Sequence, residues 1–99
     1  MIYVLVRYLV KDYSTWKAAF DGSYNIRRNS GEKSFRVFRN PENPNDLTLF
    51  LEWDSLESAK RFMTSEWLQQ ARQQAGVLGQ PEVHYLVDIA TTVRRTAAD

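Results

Sequence analysis

Cysteine is absent from the 99 residues and histidine occurs once. The first absence excludes disulfides, thiolate catalysis and cysteine-based metal sites. The second excludes a multi-histidine metal site within one chain, so neither a metal nor a cofactor is expected. Charge of one sign is also lacking. A formal net charge of +1 gives no electrostatic case for nucleic acid or for an acidic membrane surface. The longest apolar run, Ile2 to Val6, is far too short to span a bilayer. The N-terminus carries neither the charged segment nor the cleavage site of a secretory signal. A cytoplasmic location, with no membrane or nucleic-acid partner, is therefore the expectation.

What remains is globular in character, with 43% hydrophobic and 25% charged residues. The length allows one domain with one modest core. Residues 1–90 are expected to form that domain, and residues 91–99 a tail that frays or lies on a partner. Ile2 to Val10 is rich in β-branched and aromatic residues and suits a strand. Asp12 is placed to cap a helix by accepting from a free backbone N–H. That helix carries Trp16, Ala19, Phe20, Ser23 and Arg27 at helical spacing, is weakened by Gly22, and stops at Gly31. Ser34–Asn40 and Leu47–Trp53 alternate as strands around the turn residues Asn40–Asp46, which predicts a hairpin. Asp54 and Glu57 suggest a capping box with Asp54 as the N-cap. The stripe Leu56, Ala59, Phe62, Met63 follows it. A short helix carrying Trp67, Leu68, Ala71 and Ala75 is expected to end at Gly76, Gly79 and Pro81, with a last strand over Val83–Ile89. The order βαββαβ, with right-handed crossovers, predicts an α+β ferredoxin-like sandwich with an antiparallel sheet and both helical segments on one face.

Successive strand side chains point to opposite faces. One set is apolar throughout and is assigned to the helices: Ile2, Val4, Val6, Tyr8, Phe35, Val37, Leu47, Leu49, Leu51, Val83, Tyr85, Val87 and Ile89. The opposite set mixes Tyr3, Leu5, Leu9, Phe38, Phe50 and Leu86 with Arg7, Arg36, Thr48, Glu52, His84 and Asp88. So much apolar surface on a monomer marks an interaction face. A second copy of the same sheet, packed by two-fold symmetry, is the simplest cover. The lumen between two such sheets is where a small apolar or aromatic ligand is expected.

Asp12-Tyr13…Trp16-Lys17…Phe20-Asp21, then Arg27, Gly31, Arg39-Asn40 and Asn43-Pro44, resembles the dimeric α/β-barrel superfamily. Within it, the chain resembles small cyclase-like proteins of the antibiotic-biosynthesis-monooxygenase-like group. Glu52-Trp53-Asp54…Leu56-Glu57…Ala59-Lys60…Phe62 and Ala75-Gly76-Val77…Gly79-Gln80-Pro81-Glu82 are the most specific parts. The resemblance extends to about Ile89 and implies a homodimer with sheets facing inward. Members often carry a His just after the Phe-Asp pair, where this chain has Ser23. Cofactor-independent quinol monooxygenases and haem-degrading relatives generally use an Asn on the first strand, and the haem degraders also a helical His. The first strand here has no Asn and the one His is on the last strand, so neither set of residues carries over.

Two readings stand for each candidate residue. His84 is the side chain whose ordinary pKa lies near neutrality, and as a general base it would take a proton from an acidic phenol or β-dicarbonyl. Otherwise it is a hydrogen-bonded interface histidine. Glu52 is a pocket acid or the partner of Arg7 or Arg36. Arg7 and Arg36 clamp a ligand carboxylate or make cross-sheet ion pairs. Tyr3, Phe38 and Phe50 wall a pocket or pack a dimer. Trp53 alternates onto the helix side, as core or as a ligand-stacking ring. Trp16 and Trp67 are expected in the core. The functional expectation is a dimer that binds a small aromatic or polyketide-like molecule between facing sheets. The alternatives are a cofactor-independent monooxygenase or cyclase/isomerase, and a structural or ligand-sequestering dimer without catalysis.

Overall fold

The computed structural model describes residues 1–92. Residues 93–99, most of the expected tail, lie outside them. Four strands and four helices run in the order β1 (Ile2–Val10), α1 (Tyr13–Gly22), α2 (Tyr24–Ser30), β2 (Glu32–Asn40), β3 (Asn43–Trp53), α3 (Leu56–Met63), α4 (Glu66–Gln74) and β4 (Val77–Val87). The sheet is antiparallel in the order β2-β3-β1-β4. This is the ferredoxin-like α+β arrangement expected from βαββαβ, with each helical crossover broken into two helices.

The breaks have local causes. Asp12 caps α1 as expected, accepting from Thr15 N–H at 2.9 Å. The helix ends at Gly22, and Ser23 donates its hydroxyl to Phe20 O at 2.8 Å. That bond satisfies a carbonyl that continued helix would otherwise use. Gly31 stops α2 at φ 126°, and a Cβ there would lie 2.6 Å from Asp54 Oδ1. Both the backbone conformation and the close approach therefore require glycine. At α3 the expected capping box is not formed. Ser55 is the N-cap, accepting from Ser58 N–H at 3.1 Å, and Glu57 pairs forward with Arg61 at 2.8 Å. Asp54 instead accepts from the Ser58 hydroxyl.

Three strands begin before the start that alternation predicts: β2 by two residues, β3 and β4 by more. The hairpin loop is Pro41-Glu42, and β3 begins at Asn43 with an irregular register before Leu47. Asn45 Oδ1 in that stretch accepts from Tyr13 N–H at 2.9 Å and ties the hairpin to the start of α1. Strand β4 starts at Val77, and Gly79, Gln80 and Pro81 lie within it. The pairs Arg7–Glu82 and Leu9–Leu78 leave extra residues on β4 opposite Tyr8, a bulge in an edge strand. Such a bulge accommodates a glycine at φ 67° and a proline without an N–H.

The core lies between sheet and helices, with Trp16, Trp53, Leu47, Val4 and Val6 as its largest fully buried side chains. Burying each of these contributes about 1.5–3 kcal/mol. Val87 and Ile89, assigned to this face by alternation, are 61% and 95% exposed: Val87 is the last residue of β4 and Ile89 lies beyond it. Trp67, expected in the core, is 42% exposed. No helix among the described residues is long and apolar enough to cross a membrane.

Candidate functional site

The sheet face away from the helices carries most of the residues singled out from the sequence. Strand register fixes their order. One row runs Arg36–Phe50–Leu5–His84, the next Ser34–Glu52–Tyr3–Leu86, and a third Phe38–Thr48–Arg7–Glu82. Arg36 and His84 thus sit on opposite edge strands, about 14 Å apart at three inter-strand spacings. Tyr3 and Phe50 stack with ring centroids 5.0 Å apart and planes 9° from parallel. Arg36 lies over Phe38 at 4.9 Å. Glu52 accepts from Ser34 Oγ at 3.0 Å, rather than pairing with Arg7 or Arg36. Arg7 instead forks onto Asp46, at 3.3 Å from Nε and 3.1 Å from Nη2. The bond from Arg7, with a second from Asn40, holds the Asp46 carboxyl below its ordinary pKa. The charge of Asp88 and partial burial push Tyr3 above its ordinary value. Trp53 does not join this group. It is fully buried on the helix side, 5.3 Å from Phe62, and its Nε1 has no acceptor among the described residues.

The most apolar hollow among the described residues is on the other side of the sheet. A cavity of about 330 Å³ lies between sheet and helices, walled by Trp16, Phe20, Phe62, Trp67 and Met63. That volume is at the lower end of small-molecule sites. The polar groups that reach it are few: Tyr8, Ser23, Arg27, Arg72 and Gln74. Tyr8 enters from β1 beside the β4 bulge and accepts from Trp16 Nε1 at 2.8 Å. Its own hydroxyl proton has no acceptor among the described residues. Burial pushes the Tyr8 pKa up to about 12, so at neutral pH it is a donor and not a base. Arg27 enters from α2, its guanidinium 3.7 Å from the Phe20 ring centroid and paired with Glu32 at 3.0 Å. The Phe20 carbonyl and Ser23 hydroxyl accept from its Nη1. Arg72 enters from α4, and desolvation lowers its pKa from the ordinary arginine value. No carboxylate and no histidine is found in these walls among the described residues.

Tyr8, Arg27, Arg72 and Trp67 are among the cavity residues that the sequence reading did not single out as a site. Their signal was present but faint. Arg27 sits at an apolar-stripe position of its helix, and Arg72 beside Leu68, Ala71 and Ala75. A cation on such a stripe is out of place in a closed core.

No protein-family model matches the chain, and no curated protein matches it in sequence. Solved structures do match. A provisionally named antibiotic biosynthesis monooxygenase from Bordetella bronchiseptica superposes with a TM-score of 0.76 at 19% identity, over 90% of this chain and 97% of that one. SnoaB, a cofactor-independent oxygenase from Streptomyces nogalater, gives 0.75 at 12% identity, over 91% and 94%. The fold is antibiotic-biosynthesis-monooxygenase-like. A further protein provisionally given the monooxygenase name, from Caulobacter crescentus, shares this monooxygenase-like fold with a TM-score of 0.70 at 16% identity, over 90% of each chain. At such identities the likeness is one of fold, because chemistry resides in the side chains of a site and not in the backbone that carries them.

Proposed function

We propose that this protein binds a small aromatic, polyketide-like molecule in the cavity between sheet and helices, and that it does so as a homodimer whose open sheet faces pack together. The observation that carries the binding reading is the cavity itself. Four aromatic walls surround a space the size of a small ligand, and a buried tyrosine hydroxyl in it has a proton to donate. The open face supports the dimer. Leu9, Phe38, Leu78 and Leu86 are each between 42% and 47% exposed there, alongside the stacked Tyr3–Phe50 pair. This reading moves the ligand from the lumen between sheets to the interior of each chain. His84, Glu52, Arg36 and Phe38 then belong to the interface.

The test is binding of a two-ring phenol, 1,5-dihydroxynaphthalene, followed by thermal shift and by tryptophan quenching. Ala71→Trp fills the cavity and should abolish both signals, while Phe50→Asp should leave them and dissociate the dimer in sedimentation equilibrium. Binding that survives Ala71→Trp and disappears with Phe50→Asp would return the ligand to the lumen.

Cofactor-independent oxygenation is the second reading, favoured by the likeness to SnoaB. In that chemistry the substrate supplies the electrons: an anthrone CH2 and O2 give a ketone and water. Here the substrate must ionise by its own acidity, since the walls offer donors and cations but no base. Oxygen uptake with an anthrone substrate, in the absence of metal and flavin, checks it. Uptake no faster than in buffer leaves binding alone.

A further inference from the structure

The charges around the cavity do not balance. Arg27 and Arg72 both reach its walls, and among the described residues no carboxylate does. Arg27 is answered from outside the walls by Glu32. Arg72 takes part in none of the ion pairs among the described residues, and its Nη2 meets Met63 Sδ at 3.8 Å. A half-buried guanidinium beside a thioether has lost hydration and gained no anion. The Arg27 side chain is 5% exposed, yet its Nη2 is buried with no acceptor among the described residues. That atom is shielded from the cavity as well as from solvent, so the unanswered charge at the cavity wall is that of Arg72.

We propose that the occupant of the cavity is an aromatic monocarboxylate, whose ring lies among Trp16, Phe20, Phe62 and Trp67 and whose carboxylate supplies the anion that Arg72 lacks. This rests on the cavity being the binding site. One missing negative charge fits a carboxylate better than a doubly charged phosphate. The planar guanidinium fork of Arg72 matches two carboxylate oxygens. A neutral aromatic would fill the same space but leave Arg72 unpaired, and a site with an unanswered polar group discriminates against such a ligand.

The experiment compares naphthalene-2-carboxylate with its neutral analogue naphthalene-2-carboxamide by isothermal titration calorimetry at neutral pH. The carboxylate should bind at least about tenfold tighter, the scale of one charge-assisted hydrogen bond. Arg72→Gln should erase that preference, and a far-UV circular dichroism spectrum like that of the natural protein shows that the variant is folded. Arg72→Lys should restore part of the preference. Equal affinities in the natural protein, or a preference that survives Arg72→Gln, would overturn the assignment and leave the cavity reading standing. If neither compound binds, the cavity reading fails and this assignment fails with it.

Discussion

The two faces of one sheet have opposite fates although they alternate along the same strands. On the helix face, Val4, Val6, Leu49 and Leu51 are nearly or fully buried. On the other face, one residue away in each strand, Tyr3, Leu5, Phe50 and Glu52 remain partly accessible. The helix face closes around bulky rings and still leaves a cavity containing two cations. The open face puts its charges in shallow, solvent-accessible pairs such as Arg7–Asp46. Burial therefore acts differently on similar residue types. On one side it leaves an arginine lining a cavity, and on the other it leaves an arginine as a surface partner.

The largest expected contrast is in the aromatic rings. Trp53→Ala should destabilise the chain by about 3–5 kcal/mol, since the ring is fully buried. Phe50→Ala should cost about 1 kcal/mol, on the order of one stacked aromatic pair. Urea unfolding at concentrations low enough to keep the chain monomeric measures both, and similar losses would abolish the distinction between the faces. Arg27→Met comes close behind, because it leaves Glu32 buried and uncompensated at about 3–5 kcal/mol. The double variant Arg27→Met with Glu32→Leu should recover most of the loss in the same assay.

Tyr8→Phe is expected to cost about 1–3 kcal/mol, the penalty for leaving Trp16 Nε1 buried without an acceptor. A blue-shifted, more weakly quenched tryptophan emission should accompany it. The smallest effect belongs to Asp46. Its pKa is depressed in the folded chain, so its contribution is complete above the ordinary aspartate value of about 3.9 and is lost as pH falls through the lower folded value. Asp46→Asn should therefore flatten the fall in stability below about pH 4 and change little at pH 7. Acid titration of the urea midpoint reads this slope, and an unchanged slope would mean that the Arg7–Asp46 pair is not maintained in solution.

Much of the fold was legible because it depends on short-range patterns. Alternation in Ile2–Val10 and Leu47–Trp53, the cap at Asp12 and the stop at Gly31 each act through neighbouring residues. The misread boundaries depend on partners far along the chain. Gly79 and Pro81 look like terminators until the register with β1 opens a bulge to hold them. Asp54 looks like a cap until Ser55 takes that place and Asp54 closes against Gly31.

The amino-acid order by itself determined the element sequence, the ferredoxin-like topology and the unusual apolar content of one sheet face, because hydrophobic period and turn chemistry are local properties. Only the tertiary structure decided where a ligand has room. Tyr8, Arg27 and Arg72 come from a strand and two helices, spread over the 65 positions from 8 to 72. No spacing in the sequence brings them together; the packing of the helices across the sheet does.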